Sequence, residues 1–246
     1  MQSNEAGVNH DGEDRAKRRY RSPRRDEQAR QTRMAVLDAA HALFVERGYV
    51  STTIADIAAK AGVSPETIYS AFRNKRTLLK RLTDVRAAGD EQPIPVAERD
   101  QFQQMLREPD GRRKLQRYAA MARSMIERGV GDLQLVVRAA ASSDSHIAAL
   151  WDDLKRQRLA GATNVANHLA EQGLLRDDLT VDQARDLIWV HISPEVDGLL
   201  VERGWTPAQR EQWLGATRKH VVPYRAPPIR ECEPAAVVNH ISNGLR

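Results

Sequence analysis

Between Thr52 and Lys75 the chain reads TTIADIAAKAGVSPETIYSAFRNK, and this stretch leaves little freedom of fold. Ile54, Ile57, Ala58 and Ala61 fall at i, i+3, i+4 and i+7, one apolar face of a short helix. Thr53 stands where an N-cap oxygen accepts from first-turn N–H groups, with Asp56 three residues on in a capping-box arrangement. Gly62 closes this helix, because glycine takes a left-handed backbone without a Cβ penalty. Ser64 is the next N-cap, Pro65 fills the first helical position, and Glu66 lies in the first turn, where negative charge is favoured. Ile68 and Phe72, four apart, face inward, so Pro65, Glu66, Thr67, Tyr69, Ser70 and Ala71 lie on or near the exposed side. Two capped helices joined by a short glycine turn form a helix-turn-helix, whose second helix enters the major groove of DNA.

The flanking sequence completes a head around this motif. From about Glu27 to Arg47, Val36, Leu37, Ala40, Leu43 and Phe44 repeat at helical spacing, and Gly48 ends that helix. Leu37, Leu43, Phe44, Ile54, Ile57, Val63, Ile68 and Phe72 then make one small core. Asn74 and Lys75 open a fourth helix that carries Leu78, Leu79 and Leu82 to about Ala88. Gly89, Pro93 and Pro95 break the chain and mark a domain boundary. Beyond it, helices are expected over Val96–Arg107, Arg112–Arg128, Leu133–Ala141, His146–Gln172, Val181–Arg203 and Pro207–Val221, with Pro194 bending or breaking the fifth. No alternating β pattern recurs, so the expected fold class is all-α: a three-helix helix-turn-helix head followed by a larger helical domain. The expected division is a disordered basic arm over 1–26, the head with its connecting helix over 27–88, the larger domain over 89–222, and a flexible proline-containing tail over 223–246.

Charge is unevenly placed. The net charge is only +5, yet Arg15, Lys17, Arg18, Arg19, Arg21, Arg24, Arg25, Arg30 and Arg33 face two acids, Asp26 and Glu27, in one short block. Such a block is either an arm that follows DNA phosphates or a solubilising extension. No apolar run is long enough to span a membrane, the polar N-terminus lacks the apolar core of a signal peptide, and Cys232 is the single cysteine. A cytoplasmic protein with no membrane partner is expected. His146, His168 and His191 are scattered without ligand spacing, and Ser142–His146 reads as a helix-start turn rather than a triad. Neither a catalytic centre, a metal site nor a cofactor is expected.

In the larger domain, Leu187, Ile188, Trp189, Ile192, Val196, Leu199 and Leu200 form a broad apolar stripe, followed by Trp213 and Leu214. Trp189, Ile192, Val196, Leu199, Leu200 and Trp213 are candidates for a dimer interface, the alternative being ordinary monomer core. Phe102, Met105, Tyr118, Met121, Met125 and Trp151 are candidates for an apolar ligand pocket among the middle helices.

Residues 36–79, VLDAAHALFVERGYVSTTIADIAAKAGVSPETIYSAFRNKRTLL, resemble the TetR family of bacterial transcription regulators. The features that carry the likeness are the AA-x-x-LF-x-x-x-GY helix end, the T-x-x-x-IA helix, the AGVS turn, the T-x-Y recognition helix and the F-x-x-K entry to the next helix. More weakly, DLTVDQARDLIWVHISPEVDGLLVERGWTPAQREQWL resembles the C-terminal helices of one branch of that family. The resemblance implies a homodimeric repressor that binds a palindromic operator in double-stranded DNA and is released by a small-molecule effector. It also implies roles for residues. Tyr69 and Lys75 match positions that contact phosphate, Thr52 and Thr53 are further phosphate donors, and Pro65, Glu66, Thr67 and Ser70 occupy the groove-facing side. Glu66 can accept from a cytosine amino group, and Thr67 and Pro65 can touch a thymine methyl. Ala71 departs from the pattern, because the family often has a polar residue there. A helical DNA-binding factor with no small-molecule inducer is the alternative reading.

Overall fold

The structure, a computed structural model, describes residues 23–216 and 218–223. The arm as far as Ser22 and the tail from residue 224, with Cys232, lie outside the described residues. Helix α1 spans Pro23–Ser51, so residues 23–26, expected in the arm, are helical. Proline at the start suits a helix because its missing N–H is an orphan position. Gly48 kinks α1 with φ 79° and ψ 163°, a conformation open to glycine, and the chain turns there towards the next helix. Helix α2 (Ile54–Ala61) starts at the Thr53–Asp56 capping box and ends at Gly62, whose φ is 68°. Helix α3 (Pro65–Phe72) starts on Ser64, whose Oγ accepts from the Thr67 N–H. Helix α4 (Lys75–Ala88) starts on Asn74, whose side chain accepts from the Thr77 N–H. Side-chain caps of this kind are each worth about 1 kcal/mol.

The larger domain begins with a single 3-10 turn, Val96–Glu98, then α5 (Asp100–Arg107), α6 (Gly111–Glu127), α7 (Val130–Ala140), α8 (Ser145–Glu171), α9 (Val181–His191), α10 (Pro194–Glu202), α11 (Pro207–Ala216) and α12 (Arg218–Val221). Three expected helices are split. Arg99 takes extended backbone angles between the 3-10 turn and α5. Ser193 and Pro194 restart the chain as N-cap and first residue of α10, which breaks the expected Val181–Arg203 helix. The expected Pro207–Val221 helix divides into α11 and α12.

Two buried clusters organise these helices. The first contains all the expected head residues, with Phe44 and Ile57 fully buried and Val63 packed at its edge. It also takes in Leu133 and Val137 of α7 and Ile147, Leu150 and Leu154 of α8. The core therefore runs on across the Gly89–Pro95 break, and α7 lies against both α1 and α8. The second cluster joins Phe102, Met105, Leu115, Val165, Leu169 and Ile188, where α8 packs along α9.

Candidate nucleic-acid interface and ligand cavity

Helix α3 hides one side and presents the other. Ile68 and Phe72 are buried in the head core. Glu66, Thr67, Tyr69, Ser70 and Ala71 are exposed, Tyr69 to 52%, and Pro65 is half-buried. The Ser64 and Thr67 hydroxyls lie 3.2 Å apart and brace the first turn. Hydrogen bonds from the Glu66 backbone N–H, then from Ser64, hold the Glu66 carboxyl below the usual carboxylate range. A helix about 10–12 Å across with polar side chains on its free face fits a major groove about 12 Å wide.

Two expected phosphate donors are placed otherwise. Thr52 has no exposed surface, and its hydroxyl is shared between the carbonyls of Gly48 at 2.8 Å and Leu43 at 3.2 Å. It holds the kink at the end of α1 and cannot reach a phosphate. Lys75 is half-buried, and its Nζ donates to the carbonyls of Tyr49 at 2.9 Å, Thr52 at 2.8 Å and, more weakly, Val50 at 3.4 Å. It also sits 4.3 Å from the centre of the Tyr49 ring. Burial lowers its pKa. Its three ammonium hydrogens already have acceptors, so Lys75 ties α4 to the end of α1. Thr53 is exposed, but its hydroxyl lies 2.6 Å from Asp56 Oδ2 within the capping box.

Sequence reasoning missed an exposed cation beside α3, Arg73. Arg73 follows α3 with φ 65° and ψ −45°, and the Asn74 N–H donates to the Phe72 carbonyl at 2.7 Å. That is a γ-turn with positive φ, a rare and strained conformation. Its side chain is exposed beside α3, and no hydrogen bond or ion pair holds the guanidinium among the described residues. No spacing rule signals a non-glycine residue with positive φ.

A cavity of about 200 Å³ lies within the larger domain. Phe102, Tyr118, Met121 and Met125 line it. Met105 and Trp151, also expected there, do not: Met105 is buried in the second cluster, and Trp151 packs against the first. The unexpected part of the wall is polar: Gln134, Gln157, Arg158, His191, Asp197 and Arg210. One sequence signal was available for Arg158. It interrupts the i+4 row Leu150, Leu154, Arg158, Ala162, Ala166, otherwise apolar and buried, on α8.

Of the expected interface residues, Leu199 is 60% exposed, and Val196 and Leu200 are half-buried. Trp189 instead packs on the second cluster with Arg158 5.3 Å from its ring centre. Ile192 and Trp213 line the cavity, with Trp213 stacked on His191 at 4.8 Å. The break before Pro194 explains the correction, since it ends the single helical face that placed these residues together. Val190, Val201 and Trp205 are the further exposed apolar residues of this region.

The cavity touches the head at one joint. Ala87 of α4 and Met125, Ile126, Val130 and Gly131 of the α6–α7 bend all line it. Within that bend Arg128 donates through Nε to the Arg86 carbonyl at 2.7 Å and through Nη2 to the Ala87 carbonyl at 3.1 Å, while Nη1 reaches Ser124 Oγ at 2.6 Å. It thereby satisfies carbonyls at the C-terminus of α4 that have no helical partner. Gly129, with φ 77°, lies against His41 of α1, where a Cβ would come within 2.4 Å of His41 Nε2.

Residues 36–82 match the family model described as bacterial regulatory proteins, tetR family. The HTH-type transcriptional regulator TtgR of Pseudomonas putida is 44% identical over 61 residues, 25% of this chain and 29% of that protein. The uncharacterized HTH-type transcriptional regulator YvkB of Bacillus subtilis is 36% identical over 77 residues, 31% of this chain and 41% of that one. The chain thus aligns with less than half the length of either. Among solved structures, the transcriptional regulator FadR of Bacillus subtilis in complex with stearoyl-CoA covers 75% of this chain and 96% of its own length, at 21% identity and a TM-score of 0.59. The fatty acid degradation regulator FadR of Bacillus halodurans gives the same coverage at 22% identity and a TM-score of 0.60. These likenesses extend the shared fold well beyond the head.

Proposed function

We propose that this chain, whose head belongs to the bacterial tetR regulatory family, is a cytoplasmic DNA-binding transcription regulator. It acts as a homodimer that represses from a palindromic operator and lets go when a small molecule occupies the cavity. Pro65, Glu66, Thr67 and Ser70 read base edges from the free face of α3, and Tyr69 and Arg73 contact phosphate, while Thr53 is held in its capping box by Asp56. Two such heads must meet successive major-groove faces about 34 Å apart, so a small change in their separation breaks register.

The observation that carries the reading is the joint between cavity and head. Ala87 is at once cavity wall and, through its carbonyl, an acceptor of Arg128. A ligand that displaces Met125 or Ile126 moves the Arg128 bend, and the bend pulls the C-terminal end of α4, which is pinned at its other end to α1 through Lys75. Such a ligand shifts the equilibrium only by its differential affinity for the two head spacings. That FadR of Bacillus subtilis was solved with stearoyl-CoA supports a small-molecule effector on this fold.

The test is to find cavity ligands by calorimetry and then measure operator affinity with each one bound. Release predicts weaker DNA binding for at least one of them. Ligands that fill the cavity while operator affinity stays constant would contradict induction and favour a factor controlled in another way.

A further inference from the structure

We infer that the cavity takes a small organic acid, whose carboxylate is received by Arg158 and whose hydrocarbon or aromatic body lies against Phe102, Met121, Met125 and Leu214. This rests on the reading of the cavity as an effector site. The argument begins with the two buried guanidiniums on its wall. Arg210 is closely paired: its Nη1 lies 2.7 and 2.6 Å from the two oxygens of Asp197, although its Nε has no hydrogen-bond partner. Arg158 is paired only loosely. Its side chain is only 9% exposed, its Nη1 donates to Gln134 Oε1 at 2.9 Å, and its Nη2 is 3.9 Å from Glu195 Oε2, too far for a hydrogen bond. Its Nε has no hydrogen-bond partner, and neither has Glu195 Oε2. Glu195 is divided between Arg158 and Arg138, the latter at 3.5 Å. Burial pushes the Arg158 pKa down, the mark of a charge whose surroundings do not fully satisfy it.

A guanidinium presents donors in a rigid fork that matches a carboxylate in two parallel bonds, and Arg158 Nη2, which makes no hydrogen bond among the described residues and unlike Nε is not sealed off, is half of such a fork. A second donor stands nearby. Tyr118 Oη lies 3.8 Å from where a Cβ would sit on Gly161, one turn beyond Arg158 on α8, and burial raises the Tyr118 pKa, so the phenol stays protonated. A cationic ligand finds no free carboxylate on the wall, since Asp197 is engaged by Arg210 and Glu195, with its unpartnered Oε2, does not line the cavity. His191 has its Nδ1 2.7 Å from the Leu187 carbonyl, and burial lowers its pKa. The cavity, about 200 Å³, is smaller than the ~300–1,000 Å³ of sites for drug-sized ligands, which favours a short-chain or single-ring acid.

The experiment uses the full chain without DNA, titrated by calorimetry with benzoate, cinnamate, hexanoate and octanoate, with the corresponding primary amides, and with hexylammonium. At least one carboxylate is expected to bind, and its amide at least ten-fold more weakly. Arg158→Met should lose acid binding at least ten-fold while keeping the weak amide binding, and Arg158→Lys should recover only part, because an ammonium keeps the charge without the fork. Melting curves of each variant separate misfolding from lost recognition, and the acid-to-amide ratio of the unmodified protein tests the inference without any variant. Equal affinity for acid and amide, preference for hexylammonium, an acid affinity unmoved by Arg158→Met in a folded protein, or no binding by any carboxylate would each overturn it. Acids that bind through Arg158 but leave DNA affinity unchanged would uphold the inference while defeating the release mechanism.

Discussion

Thr52 and Lys75 sit at the joint between α1 and the rest of the head, and each puts its polar group on backbone carbonyls rather than towards solvent. Thr52→Val therefore lowers stability by about 1–2 kcal/mol and leaves the DNA affinity of the folded protein unchanged; a weaker complex with no loss of melting temperature would restore its phosphate role. Arg73 works the opposite way. Arg73→Gly relieves a positive-φ strain of about 1–3 kcal/mol, so the melting temperature holds or rises, while DNA affinity falls and the salt slope drops by about one. A slope that does not change contradicts the phosphate contact. His41 gives a pH signature. Burial first, then Arg86, lowers its pKa below the ordinary 6.5, so the folded protein binds its proton less readily than the unfolded chain does. Its contribution to stability is full above pH 6.5 and is lost as pH falls from there towards the folded value. His41→Gln should flatten the decline in melting temperature over that interval, and an unchanged decline would show that other groups cause it. At this scale the sequence disclosed which residues the motif contains but not where their polar atoms point. Threonine and lysine at a helix start look alike whether they face phosphate or carbonyl.

Short helices with strong caps were legible because each boundary is a local chemical event. Thr53, Gly62, Ser64 and Asn74 start or stop α2, α3 and α4 through bonds to neighbours within a few residues. The split of the expected Val181–Arg203 helix was half legible: Pro194 signalled the break, but not that Ile192 and the following helix would turn Trp213 and His191 to the cavity. Such placement depends on how separate helices pack, which no local pattern encodes. The α6–α7 bend is the element on which the proposed release turns. Gly129→Ala combines a strained φ with a Cβ driven into His41, so it should lower the melting temperature by several degrees; a neutral effect would mean that α1 and the bend can separate freely. Arg128→Gln tests transmission. It should leave ligand affinity and ligand-free DNA affinity near their starting values while weakening the effect of ligand on DNA, and undiminished release would place the coupling elsewhere.

Across the whole molecule, the buried core passes from the head into α7 and α8, so the expected boundary near Gly89 divides the chain by sequence more than by packing. Leu199 and Val201 of α10, Trp205 just after it and Val190 of α9 are exposed apolar side chains. A second copy covering this region would complete the two-headed reader, and the solution mass should be twice the chain's 27.7 kDa, reverting to one chain in Leu199→Arg. The claim that unites these features is that two α3 helices, held at fixed separation by the paired larger domains, read one DNA site together. Selection of bound fragments from a random DNA pool measures this most directly. The account predicts two inverted half-sites whose centres keep one constant spacing, close to one helical turn or a multiple of it; enriched single half-sites, or pairs at variable spacing, would contradict it.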